Sequence, residues 1–385
     1  MRAYPAMMML ALLAGCSAPA PLRYPMGQTS FEDYQRETRQ WLSQRRAFQT
    51  SDHDSELAWN SPAEWRPAKP PVKGILLFHG LGDSPWSFAD IGKSLAAQGY
   101  LVRTALLPGH GTQPADLLGV DVDDWRQLVR EQVAVMSREV PQVMLGGFST
   151  GANLALEYAL DHPEVAGLML FSPALKASVP GDWTLPLLAQ FKPWLRQPGS
   201  SQSQQTPVRY LNVPTNGFAQ FYRGSAAVRS KISGKTFDRP ALLVVAQHDS
   251  VVDVDYVLRI FKQRFTHPAS RMVWYGDLPG GKAAPPRVLV RTDRIPDARI
   301  SQFSHMGVLF SPGNPLYGNE GSQRYCWNGQ SDIDQRKCTE GAPVWYSDWG
   351  YTEPGKIHAR LTFNPYFEWQ AGIMKEVMDH APENP

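Results

Sequence analysis

Three side chains define the chemistry this sequence is equipped to perform. Ser149 stands in Gly147-Phe148-Ser149-Thr150-Gly151, after the apolar run Val143-Met144-Leu145 and before a helix-like stretch from Ala152. A strand that ends in such a turn delivers a serine, exposes its hydroxyl and starts a helix beneath it. The backbone at that serine is strained, and a side chain at either flanking glycine would collide with the neighbouring strand or helix. A serine hydroxyl is a poor nucleophile at neutral pH. It needs a base within hydrogen-bond reach and a third group to orient that base. Asp249, just after the run from Ala241 to Gln247, and His305, in Phe303-Ser304-His305-Met306-Gly307, supply those residue types downstream. Serine, aspartate and histidine in that chain order suit a doubly wound sheet, where the loops at the carboxyl ends of the strands converge. The chemistry would be acyl transfer.

Competing residues have plainer readings. Asp253 and Asp255 sit where the next helix begins and read as capping residues. His79 and His110 fall in glycine-rich turns, His162 and His267 precede prolines, and His248 adjoins the acid and would point elsewhere. His358 and His380 come after the expected final loop. An oxyanion needs two preorganised N–H donors. Thr150, after the nucleophile, offers one, and Leu81, in the loop Phe78-His79-Gly80-Leu81-Gly82-Asp83-Ser84, offers the other. No metal or other cofactor is required, and no cluster has metal-ligand spacing.

These residues must be held by an alternating framework. The stretches 74–78, 100–106, 142–148, 165–171, 241–246 and 271–275 read as strands, and 88–98, 152–160 and 256–265 as helices, with an amphipathic helix starting near Asp121. Near-continuous apolar strands separated by helices imply a mostly parallel sheet covered on both faces, an α/β fold with right-handed crossovers. Two stretches break the rhythm. Residues 175–238 lack clean alternation and are where a small cap would be inserted. Residues 311–362 are rich in Gly, Asn, Asp, Tyr and Trp and read as a long loop excursion. A closing helix is expected over 364–378, and Phe31, Tyr34, Trp41 and Leu42 suggest a helix in the lead-in. The main domain is drawn from residue 60 to 385, preceded by a tether and helix over 16–59.

Composition bounds the partners. The chain has 385 residues, 43% apolar and 19% charged, with a net charge of +2. Its Lys and Arg are scattered rather than striped, which argues against a nucleic-acid surface. The first fifteen residues read as a targeting segment, with Arg2 as the positive region and Met7 to Leu13 as a core too short to span a bilayer. Leu13-Ala14-Gly15-Cys16 resembles a bacterial lipobox. That resemblance implies cleavage before Cys16, acylation of that cysteine, and, with Ser17 rather than Asp next, an outer-membrane address facing the periplasm. An ordinary signal peptide with an incidental cysteine is the plainer alternative. Export leaves Cys326 and Cys338 as an even pair in an oxidising compartment, which favours a disulfide over two free thiols.

The stretch from Ile75 to Thr112, with its Pro108-Gly109-His110-Gly111 turn, then the segments around Ser149, Asp249 and His305, resembles the α/β-hydrolase superfamily. Within it the chain is similar to bacterial carboxylesterases and monoacylglycerol lipases over about residues 60 to 310. The resemblance implies hydrolysis of a small ester or lipid through an acyl-enzyme, with Ser149, His305 and Asp249 as the triad and no cofactor. The same triad could serve a thioester or lysophospholipid, and an inert anchored binding protein on this scaffold is the non-enzymatic reading. Thr150, the lipoprotein head and the cysteine-containing insertion depart from the family pattern.

Overall fold

A computed structural model describes residues 24–199, 203–281 and 283–381. The leader and Cys16 therefore lie outside the described residues. Ten strands are present among them: β1 (Glu64–Trp65), β2 (Lys73–Phe78), β3 (Leu101–Ala105), β4 (Gln142–Phe148), β5 (Leu168–Phe171), β6 (Ala241–Ala246), β7 (Arg271–Tyr275), β8 (Val288–Arg291), β9 (Trp345–Ser347) and β10 (His358–Arg360). The first eight form one sheet in the order β1-β3-β2-β4-β5-β6-β7-β8, and β9 and β10 pair separately. Only β1 runs antiparallel in the large sheet. This is the mostly parallel α/β sheet expected from the alternation, in the α/β-hydrolase fold that the resemblance implies.

The alternation of each strand splits its apolar side chains between two cores. Leu76 and Phe78 of β2, Leu243 and Val245 of β6 and Trp274 of β7 point to one face. There they meet α1 (Phe31–Arg45), α4 (Val122–Met136), α5 (Thr150–Ala159), α7 (Thr215–Gly234) and α8 (Val254–Arg264). Ile75, Leu77, Leu242, Val244 and Tyr275 point to the other, against α3 (Ala89–Ala97), α10 (Phe367–Asp379) and much of the stretch after His305. Both faces being dry explains why the strands read as continuous apolar runs. The remaining helices are α2 (His53–Asn60), α6 (Leu185–Leu188) and α9 (Asp332–Thr339).

Three differences from the sequence reading have physical causes. The irregular-looking cap stretch contains α7, a helix of 20 residues. Its pattern is diluted by Gly217, Gly224 and Gly234, and a Cβ at Gly217 would lie 2.7 Å from Val213. The closing helix starts at Phe367, three residues late, because the Asn364 side chain accepts from the Tyr366 amide and donates to Tyr275 and Gln370 instead. Strands β1 and β8 went unread because they are short sheet edges. Cys326 and Cys338 form a disulfide across the excursion, with Cα atoms 5.6 Å apart.

Candidate active site

Ser149 sits at the carboxyl end of β4, between its last residue and the first of α5. Its φ is 53°, a left-handed conformation that a non-glycine residue adopts only under constraint. The constraint is visible in the flanking glycines. A Cβ at Gly151 would lie 1.9 Å from the Phe78 carbonyl oxygen, and one at Gly147 would lie 2.3 Å from the Gly151 carbonyl carbon. The Ser149 amide donates to Phe171 O at 3.0 Å, which locks the turn to β5.

Asp249 and His305 are brought together. His305 Nδ1 lies 2.7 Å from Asp249 Oδ2, and both residues are buried. The other carboxylate oxygen accepts from the amides of Val251 (2.8 Å) and Val252 (3.0 Å), so the acid is fixed by its own loop. The histidine is fixed from beneath: Ser172, itself at φ 40°, donates through Oγ to His305 O at 2.9 Å. The Phe148 ring lies 4.8 Å from the imidazole, which sets His305 beside the elbow. His305 Nε2 bonds to nothing among the described residues, Ser149 Oγ included. The competing acids go elsewhere: Asp253 caps α8 and pairs with Lys176, and His248 pairs with Asp293.

The loop after β2 is braced by residues that sequence reasoning passed over as turn formers. Gly82, at φ 77°, donates through its amide to His110 Nε2 at 2.9 Å and accepts from the Tyr210 amide at 2.7 Å. His79 takes the Leu107 amide on Nε2 and faces Gly80 O with Nδ1. Burial pushes the pKa of His110 down to about 4 and that of His79 well below the usual imidazole value, so both are neutral braces at pH 7. The amides of Leu81 and Thr150 donate to nothing among the described residues. Asp83 pairs with Arg209 at 3.4 Å, and burial holds its carboxyl above the usual range against the pull of Arg209 and His305.

The excursion also reaches the site. Asp348 Oδ2 accepts from the amide of Ser250, next to Asp249, at 2.7 Å, and its other oxygen is buried without a partner. Burial raises its pKa, opposed by the nearby Arg360, whose own pKa burial lowers to about 10. No signal in the sequence marked Asp348, since its partner lies 98 residues away.

The serine aminopeptidase S33 family matches residues 69–276 of the chain. The protein belongs to that family. As a member of this hydrolase family it is similar to a thermostable monoacylglycerol lipase of Bacillus sp. (strain H-257). The two are 29% identical over 188 residues, 46% of this chain and 71% of that one. It is also 27% identical to a pimeloyl-[acyl-carrier protein] methyl ester esterase of Aromatoleum aromaticum, over 60% of this chain and 90% of that one. Among solved structures, the monoacylglycerol lipase of Paleococcus ferrophilus aligns with a TM-score of 0.47 at 16% identity, covering 67% of this chain and 93% of that one. The family match takes in Ser149 and Asp249 and ends before His305 and the excursion.

Proposed function

We propose that this hydrolase cleaves carboxylic esters with an apolar acyl chain through Ser149, His305 and Asp249. The observation that carries the reading is the buried Asp249–His305 hydrogen bond set beside a serine strained into an elbow. Asp249 holds the imidazole with its free Nε2 available as base. His305 takes the Ser149 proton as Oγ attacks the ester carbonyl carbon, and the unused amides of Leu81 and Thr150 receive the oxyanion. His305 then protonates the departing alcohol and deprotonates the water that releases the acid. In a resting site the serine–histidine bond is often long and tightens around substrate.

A nearby cavity supports the reading of an apolar acyl chain. A cavity of about 390 Å³, mostly apolar, opens beside the acid loop, between Val251 on one side and Val179, Leu185, Phe218 and Phe221 of the cap on the other. That size is in the range of small-ligand sites. The similar proteins named for monoacylglycerol and methyl ester substrates support the ester reading. The lipobox-like start supports an enzyme held in the bacterial envelope through an acylated Cys16, with its substrates met there.

A fluorophosphonate probe and a series of p-nitrophenyl esters test this together. The expected result is labelling at Ser149 and turnover that rises with acyl length beyond acetate. An unlabelled Ser149, or an aminoacyl anilide cleaved faster than every ester, overturns the reading.

A further inference from the structure

Isolated exposed apolar side chains are ordinary on a protein surface, and clustering is what signals a partner. Eleven large apolar residues are exposed among the described residues. Five of them, Val179, Trp183, Leu187, Phe191 and Leu195, recur every fourth position in one cap segment. Trp183 lies in a 3-10 turn (Asp182–Thr184) and Leu187 in α6, which follows it directly, and Phe191 sits in the turns that continue α6, its amide donating to Leu188 O. They are 68%, 62% and 78% exposed, more than a helix face packed on its own domain would leave.

Three further large apolar residues are exposed on neighbouring segments. Val251 follows Ser250 on the acid loop, Trp349 follows Asp348, which bonds that loop, and Trp327 stacks 5.5 Å from the guanidinium of Arg196. Val179, Leu195 and Val251 also line the cavity, so the patch and the cavity mouth are continuous. Between 176 and 196 the sequence carries Lys176, Lys192 and Arg196 against the single acid Asp182; Lys176 is paired with Asp253, and Lys192 is exposed beside Phe191. Apolar side chains that include tryptophan, flanked by cations, match the boundary between acyl chains and anionic headgroups.

A relay of contacts links the first described residues through α7 to the cap segment. Tyr24 donates to Asp116 O, Asn216 donates to Leu117 O, and the amide of the adjacent Thr215 donates to Pro193 O, two residues from Phe191. Only seven residues lie between Cys16 and Tyr24, a reach of at most about 28 Å.

We propose that this face docks the protein on an anionic lipid bilayer. Trp183, Leu187 and Phe191 enter the headgroup boundary, the exposed Lys192 meets lipid phosphates, and the cavity mouth turns toward the acyl chains. The docking stands on the surface alone, while its use in feeding the cavity rests on the proposed function.

The test compares the full chain carrying Cys16→Ser with the same chain carrying Trp183→Ser, Leu187→Ser and Phe191→Ser as well. Flotation with vesicles of phosphatidylcholine and phosphatidylglycerol should show partitioning fall about 10-fold or more in the triple variant. Hydrolysis of a soluble short-chain ester and fluorophosphonate labelling should stay unchanged, which shows that the variant is folded. Equal partitioning of the two chains overturns the proposal. So does sedimentation showing a dimer that the substitutions dissolve, without vesicle binding by the parent. A parent chain that binds vesicles through this face but hydrolyses no ester upholds docking and overturns the proposed function instead.

Discussion

Ser149 and the acid loop are held by opposite kinds of structure. β4, which presents Ser149, pairs with a parallel strand on each side and is buried over its whole length. Its position follows from backbone ladders and two apolar cores. The loop of Asp249 is braced by a segment from 311 to 362 that has one short helix and two three-residue strands. That segment is tied by side-chain bonds and a disulfide: Asp90 holds Ser311 and Asn314, Thr362 donates to Tyr317 O, and Arg360 donates to Asn328. A ladder shares its load over many backbone bonds, so a local change either leaves it intact or collides with a neighbouring backbone and breaks it. A network of individual bonds can be edited one bond at a time, and its effects should be graded.

The sheet side should therefore respond in an all-or-none fashion. Ser149→Ala is expected to lower ester turnover by about 10⁴-fold or more while leaving the melting temperature in place, since the hydroxyl supports no hydrogen bond of the fold. Single-turnover kinetics beside calorimetry check both halves, and retained turnover would refute the assignment. Gly151→Ala is the structural counterpart. The new methyl would overlap the Phe78 carbonyl oxygen, so a loss of at least about 3 kcal/mol, or failure to fold, is expected in denaturant titrations.

The difference in construction also explains what the sequence could disclose. Strands β2, β4, β6 and β7 announce themselves because burial on both faces demands unbroken apolar runs. The elbow is legible because its steric demands fall on neighbouring residues, Gly147 and Gly151. Asp249 and His305 could be picked out by their place after strands and in chain order. His110, Tyr210 and Asp348 could not, because each acts through a partner 28 to 98 residues away. Helix α7 stayed hidden because three glycines dilute its pattern, and close packing on Val213 calls for glycine at Gly217 where a periodic pattern calls for apolar bulk.

Acid should separate the two regions again. His110 binds a proton near its usual pKa when unfolded but only near pH 4 when folded. Between those values the unfolded chain holds more protons, so stability is complete above about pH 6.5 and falls as pH drops toward 4, by up to about 3 kcal/mol. His79 acts in the same direction. Melting curves from about pH 7 to pH 5 should show a decline that His110→Asn reduces, and an unchanged slope in that variant would break the link. Since both histidines brace the loop after β2, the loss belongs to the sheet side. Paired Cys326→Ser and Cys338→Ser should instead loosen the excursion by about 2 to 3 kcal/mol, the order expected for closing a loop of this length. Proteolysis within 311–362, with the rest of the chain intact, is the readout. Cleavage spread evenly over the chain would show that the two regions unfold together.

The smallest effect tests whether the excursion contributes to chemistry or only walls the site. Asp348 Oδ2 is the acceptor for the Ser250 amide, and Ser250 follows the residue that orients His305. Asp348→Ala removes that acceptor and leaves a half-buried N–H unpaired, which costs up to about 1 kcal/mol wherever the loop keeps its place. The cheaper response is for the loop to shift, carrying Asp249 with it. kcat is then expected to fall about 10-fold with KM nearly constant, because a displaced acid weakens the base in the transition state more than it weakens ground-state binding. Asp348→Asn keeps a carbonyl oxygen in the same place and should restore most of kcat, although it removes the charge facing Arg360. If neither variant moves kcat, the acid loop is held by the Val251 and Val252 amides alone, and the excursion is a wall. If Asn is as damaging as Ala, the charge balance with Arg360 matters more than the hydrogen bond, and the brace is electrostatic.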